Sequence, residues 1–232
     1  MTDFVFTPPA QPYVAVAGSA ALFPVRRVFC VGRNYAAHAR EMGNDPDREP
    51  PFFFAKPADA VVPADGTVPY TPLTSSLHHE VEMVVAIGRA GFNVSVESAL
   101  DHVWGYGVGV DPTRRDIQDI AKKMSRPWDW AKGFDSSGPC GPLVPASAIG
   151  HPAHGKVWLG VNGTVCQAGD LNEMIWSVAE IIGVILTSAS LAPGDLIFTG
   201  TPAGVSALLP GNVVTAGGEG VGEISFEIAH AA

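Results

Sequence analysis

The sequence predicts a strand-rich α+β domain, and three observations carry that prediction. Its 26 glycines and 20 prolines are spread along the 232-residue chain, which implies many tight turns and short strands in place of long helices. Apolar runs with the two-residue period of strands recur between those turns, and 170–190 is the clearest segment with a helical period. The chain is 47% hydrophobic and 16% charged, a balance that folds. The length suits one large domain, which we divide into a lead-in segment, 1–24, and a main domain, 25–232.

The lead-in holds short extended pieces interrupted by proline. "VRRVFCVG" (25–32) is the first firm strand, and "NYAAHAREM" (34–42) has helix-forming composition, with Asn34 as a candidate N-cap and Gly43 as the stop. A loop at 43–51 leads to the strand "FFFAKP" (52–57), which ends at its proline. Asp65-Gly66 marks a turn, 79–88 a strand, 95–105 a helix capped by Ser95, and "YGVGVD" (106–111) a glycine-rich strand. A helix is expected over 113–124 and a long structured loop over 125–142. A hairpin over 156–169 turns at Asn162-Gly163, the pair favoured in type I′ turns. In 170–190, Asp170 and Glu173 have capping-box spacing, and Ile175, Val178, Ile182 and either Ile185 or Leu186 share one face. Strands and turns over 193–205, 212–217 and 222–230 finish the chain.

The formal charge of -9 argues against nucleic acid as a partner, because neutralising phosphates needs clustered Lys and Arg. The N-terminus has Asp3 and no basic region ahead of its apolar stretch, so it does not read as a signal peptide. No uncharged apolar run of membrane-spanning length stands out; the best stretch, 174–192, contains Glu180 and fits an amphipathic helix. A cytoplasmic protein without a membrane partner is the expectation. Cys30, Cys140 and Cys166 are odd in number, far apart and without metal-ligand spacing, so they read as inert thiols.

The segment "LHHEVEMVVAIG" (77–88) is the anomaly. In a strand, residues two apart share a face about 6.5–7 Å apart, so Glu80 and Glu82 project together. Val84 and Ala86 continue their face, while Val81, Met83, Val85 and Ile87 form a continuous apolar face opposite. Alone, this reads as an exposed strand with solvated glutamates. Asp111 changes the balance: it ends a glycine-rich strand and precedes Pro112, which favours an extended backbone, although capping the next helix would explain it as cheaply. Three carboxylates with no cysteine or convergent histidine would make an oxygen-only set suited to Mg²⁺ or Mn²⁺. His38 and Glu41, three apart, lie on one helix face, where a carboxylate orients an imidazole as a general base; an exposed helical pair is the bland reading. Lys132 lies in the apolar run "WDWAKGFD", either as a site lysine or as one whose stem snorkels.

Six stretches in order, "VGRNYAAHAREM", "FFFAKP", "HHEVEMVVAIG", "GYGVGVDPTRRDIQ", "KGFD" and "LIFTGTPAGV", resemble the fumarylacetoacetate hydrolase family over about residues 25–230. The spacing of 24–63 and the "RPW" at 126–128 resemble its fumarylpyruvate (acylpyruvate) hydrolases. The resemblance implies a mixed β-sheet roll of the family's C-terminal-domain type and a homodimer. It implies that Glu80, Glu82 and Asp111 hold Mg²⁺ or Mn²⁺, and that His38 and Glu41 form a dyad on a segment that closes over substrate. It places the active-site lysine at Lys132, polar substrate contacts at Arg115 and Gln118, and a substrate-cradling turn at Gly200 and Thr201. The implied reaction is hydrolysis of a C–C bond in a small diketo acid, with Arg33, Arg115 or Arg126 on its far carboxylate. Alternatives are oxaloacetate decarboxylation, a homoprotocatechuate-pathway isomerase or decarboxylase, and, more remotely, a non-catalytic β-rich binding protein.

Overall fold

The computed structural model describes residues 3–43 and 49–230. The expected loop at 43–51 therefore lies mostly outside the described residues. Two mixed sheets dominate. The larger runs Phe52–Lys56, Arg27–Gly32, Asp195–Phe198, Val81–Ile87, Val103–Val110, Gly138–Cys140, Val61–Pro63 in spatial order, with Val144–Pro145 added beside Val103–Val110. The smaller runs Thr164–Asp170, Lys156–Val161, Val213–Gly218, Gly222–Ala229, Thr67–Pro69. Each sheet mixes parallel and antiparallel pairs, as a roll of short strands requires.

Val81–Ile87 explains the architecture, because all seven of its residues are buried. Val81, Met83, Val85 and Ile87 join one core with Val157, Leu159, Val214, Phe226 and Ile228 of the smaller sheet. Val84 and Ala86 face a second core with Val28, Cys30, Leu196 and Phe198. The strand is thus a wall between two cores, and nothing along its length is solvated. The lead-in contributes Val14, Val16 and Phe23 to the second core, through the hairpin of Tyr13–Ala15 and Leu22–Pro24.

The hairpin at 156–169 forms with Asn162 and Gly163 both at positive φ, as a type I′ turn requires. Other expectations need correction. The single helix over 170–190 is two elements: the Asp170/Glu173 capping box is present, but it closes one 3-10 turn, Leu171–Glu173. The α-helix begins later, at Val178–Ser188, behind a second box in which Ser177 and Glu180 satisfy each other's backbone amides. The expected helix at 95–105 is a 3-10 helix, Val96–His102, and Ser95 gives its backbone no side-chain cap. The 125–142 loop contains a single helical turn, Asp129–Lys132, and the strand Gly138–Cys140. Tyr35, not Asn34, precedes the helix Ala36–Glu41. Asn34 instead bonds Trp176 through its carbonyl oxygen and amide, and reaches the Thr199 carbonyl, joining three segments.

Because the Ser177 box holds the helix that closes the larger core, Ser177→Ala is expected to cost about 1 kcal/mol. For a chain of this size that lowers the melting temperature by about 2–4 °C. An unchanged melting curve would show that packing alone sets where the helix starts.

Candidate active site

Strand register brings the carboxylates together. Glu82 pairs across the sheet with Gly109, and the Asp111 amide donates to the Glu80 carbonyl, so Asp111 stands opposite Glu80 on the face that Glu82 shares. Gly109 presents no side chain into that space. One oxygen from each of Glu80, Glu82 and Asp111 lies within 4.8 Å of the others, and all three residues are buried. Asp111 does not cap the next helix, Arg115–Lys123, whose N-cap is Arg114.

Buried carboxylates are costly unless paired, and two of these are heavily paired. Lys132 Nζ donates to Glu80 Oε2 at 2.7 Å and to Asp111 Oδ2 at 2.6 Å. Arg115 donates to Glu80 Oε1, and through its other nitrogen to Gln118 Oε1 at 2.6 Å. Lys56 Nζ lies 2.7 Å from Asp111 Oδ1 as an ion pair without hydrogen-bond alignment, and donates to the Lys132 carbonyl. Burial pushes the Glu80 carboxyl up, but Lys132 and Arg115 outweigh it and hold that group well below its ordinary value. Lys132 is raised despite its burial, because Asp111 and Glu80 surround it. It is a fixed cation, not a snorkelling one.

Glu82 differs. Among the described residues no lysine or arginine pairs with it; it accepts one bond at 2.6 Å, from the Gly200 amide. Burial first, and then Asp111, push its carboxyl well up. An acidic group so placed is stabilised as an anion only if another cation arrives. The donor set is three carboxylates with no thiolate and no imidazole, which fits a hard divalent ion such as Mg²⁺ or Mn²⁺.

The turn beneath Glu82 is built for that contact. Gly200 has φ +98°, and a Cβ there would stand 2.6 Å from the Cβ of Asn34. Thr199 bonds back to the Met83 carbonyl through both its amide and its hydroxyl. Thr201 is buried and lines the cleft, its hydroxyl accepting from Gln167 Nε2 at 2.8 Å. Gln167 also holds His79, which is therefore structural.

His38 lines the same cleft and is buried; its Nδ1 lies 3.2 Å from Glu41 Oε2. Glu41 is fixed in turn by the Gly204 amide at 3.0 and 3.2 Å. Burial lowers the His38 pKa against the opposing pull of Glu80 and Glu41, so the ring is neutral near neutral pH. Arg33, Arg115 and Gln118 also line the cleft. Arg126 is exposed and does not. The thiols take no part: burial pushes Cys140 up to about 12 and raises Cys30.

The structure adds residues that the sequence reading passed over. Lys56 carried the same signal as Glu80, a charge inside an apolar strand. Lys122 falls on the helix face of Arg115 and Gln118, at spacings of three and four, and lines the cleft with Phe54 and Trp128. Gln167 gave no local signal, and Asn34 read only as a helix cap, since their roles depend on partners far along the chain.

Fold and site together define a metal-dependent enzyme acting on small molecules in a cleft lined by both carboxylates and cations. The chain belongs to the fumarylacetoacetate hydrolase family: the model described as "Fumarylacetoacetate (FAA) hydrolase C-terminal" matches residues 27–229. It is 42% identical over 206 residues to a mitochondrial oxaloacetate decarboxylase of Dictyostelium discoideum, covering 88% of this chain and 94% of that one. It is 40% identical over 189 residues to a fumarylpyruvate hydrolase of Ralstonia sp, covering 81% and 98%. The crystal structure of fumarylpyruvate hydrolase from Pseudomonas aeruginosa, in complex with Mn²⁺ and pyruvate, superposes with TM-score 0.96 at 50% identity, covering 98% of this chain and 100% of that one. No helix among the described residues is long and apolar enough to cross a membrane.

Glu82 and Lys132 should respond oppositely to substitution. Glu82→Gln removes an uncompensated buried acid, so the metal-free protein is expected to melt no lower than wild type while losing Mn²⁺ binding in calorimetry. Lys132→Met removes the cation that bridges Glu80 and Asp111, leaving them to Arg115 and Lys56, and is expected to cost about 3 kcal/mol in denaturant unfolding. Retained Mn²⁺ affinity in Glu82→Gln would refute the metal assignment.

Proposed function

We propose that this chain hydrolyses the C3–C4 bond of a 2,4-diketo acid, with fumarylpyruvate as substrate and fumarate and pyruvate as products. The observation that carries this reading is the fixed, neutral His38–Glu41 pair in the cleft of the acidic triad. Hydrolysis needs an activated water, whereas decarboxylation of oxaloacetate does not. The Mn²⁺ and pyruvate in the Pseudomonas aeruginosa enzyme's structure support the same reading.

Residues 25–232 form the catalytic domain, and 1–24 complete its second core. Glu80, Glu82 and Asp111 hold Mg²⁺ or Mn²⁺, which when bound supplies Lewis-acid polarisation of the substrate's oxygens. Arg115, Gln118 and the Gly200–Thr201 turn bound the site for the pyruvyl end. With Glu41 at Nδ1, the neutral His38 ring carries its proton there and leaves Nε2 to take one from water. The hydroxide formed attacks the C4 carbonyl, the C3–C4 bond breaks, and its electron pair passes to the enolate of pyruvate. Lys132, held charged by two carboxylates, supplies a fixed positive field for that enolate and is no proton source. The proton that His38 took from water is returned to C3, which yields pyruvate and restores the neutral ring. The protein acts as a cytoplasmic homodimer in the gentisate route of aromatic-acid breakdown.

His38→Ala is expected to keep Mn²⁺ and pyruvate binding while lowering fumarylpyruvate turnover by about 10²–10⁴-fold. Loss of binding with unchanged turnover per bound substrate would contradict the assignment. Oxaloacetate decarboxylation that survives in this variant as the main activity would favour the decarboxylase reading. In wild type, kcat/KM should fall toward acid only below the ordinary imidazole value near 6.5, because the base is active unprotonated and its pKa is lowered.

A further inference from the structure

Beside the carboxylate triad, two cations stand over a pair of touching aromatic rings. Arg33 Cζ lies 5.4 Å from the centroid of Phe52, and Lys122 Nζ lies 5.5 Å from that of Trp128. The two rings meet edge to face at 5.1 Å. Arg33, Lys122 and Trp128 line the same cleft as Glu80, Glu82 and Asp111. Two features hold the array in place. A Cβ at Gly32 would collide with the Phe52 ring, so glycine there admits the ring against its strand. Arg33 adopts φ +56°, a left-handed backbone that an arginine rarely takes and that clusters at functional positions.

These cations differ from the three buried ones. Arg115, Lys132 and Lys56 are engaged by Glu80 and Asp111. Among the described residues no carboxylate pairs with Arg33, and the carboxylate paired with Lys122 is Asp119, half exposed and 3.9 Å away. Burial lowers the Lys122 pKa, and Arg115 and Arg33 lower it further against the opposing pull of Asp119 and Glu80. Like charges with so little carboxylate pairing are stabilised by an anion bound between them. Lys122 lies two helical turns from Arg115, about 10 Å along the axis, so the two cations leave the helix at different points while facing one cleft.

We propose that Arg33 and Lys122 are specificity-determining residues that hold the terminal carboxylate of the acyl arm, with Trp128 beneath that arm and Phe52 supporting Trp128 edge to face. The preferred substrates are thus dianionic acylpyruvates with a short, flat arm ending in a carboxylate. This assignment rests on the hydrolase reading above for its substrates, while the pair itself is a binding site that can be tested without turnover.

The test compares fumarylpyruvate, whose arm ends in a carboxylate, with acetylpyruvate, whose arm is a methyl, on the Mg²⁺-loaded enzyme. Lys122→Met and Arg33→Asn are the variants, asparagine being tolerant of the left-handed backbone. Each is expected to lower the ratio of kcat/KM for fumarylpyruvate over acetylpyruvate at least tenfold, mainly through KM, with Lys122→Arg restoring most of it. An unchanged ratio, or equal losses on both substrates, would overturn the assignment. If wild type cleaves neither compound, the hydrolase reading fails and calorimetry decides the pair separately. Wild type with Mg²⁺ and pyruvate should bind fumarate more tightly than the monoanion crotonate, and Lys122→Met should lose that preference at least tenfold; equal affinities in wild type would overturn it.

Discussion

Everything in this molecule is arranged around three carboxylates that have been taken out of water. Glu80, Glu82 and Asp111 lie at the ends of strands buried on both faces, where an unpaired charge costs several kcal/mol. The remedy is drawn from across the chain. Lys56 comes from an outer strand of the larger sheet, Lys132 from a single helical turn, and Arg115 from the start of a longer helix. Each long side chain is immobilised by the carboxylate it neutralises, so one set of ion pairs both permits the burial and positions the site.

The pairing is deliberately unequal in its effect. Glu80 and Asp111 are saturated by lysine and arginine, while Glu82 receives only a backbone amide. A fully neutralised triad would have little affinity for a further cation, and a wholly unpaired one would be protonated or would disrupt the fold. Leaving one acid short of a partner gives the cluster an electrostatic demand that a divalent ion meets. The same asymmetry makes Lys132 a permanent charge, since the groups that raise its pKa are the two that are satisfied.

How much of this was legible depended on the range of the interaction. The two-residue period placed Glu80 and Glu82 on one face with Val84 and Ala86, and that is how they lie. Whether that face was wet or dry was set by Leu196 and Phe198, more than a hundred residues later, so the segment alone favoured the wrong environment. The Asn162-Gly163 turn needed only its own two residues and was readable. The capping box at Asp170 was read correctly as chemistry but attached to the wrong element, because Ser177 and Glu180 repeat the spacing and the helix follows the second box. Asn34 looked like a cap by type, yet its amide is used to tie the helix entry to Trp176 and Thr199. His38 and Glu41 were legible by spacing, while their burial depended on packing and the Gly204 contact on chain 163 residues away.

The two parts of the cleft are built from different material, and this has a functional consequence. The triad is fixed by sheet register, where shifting a strand by one residue would turn its side chains to the other face and ruin the core. The aromatic and cationic lining rests instead on Trp128, a loop residue braced by Phe52, and on Arg33 and Lys122, which belong to neither core. Arg33 and Trp128 take no part in the ion pairs of Glu80 and Asp111, so substitution there leaves those pairs intact. Under the proposed reaction, a sheet-borne centre for a pyruvate enolate could serve several reactions, with the residues beside it setting which acyl group it meets.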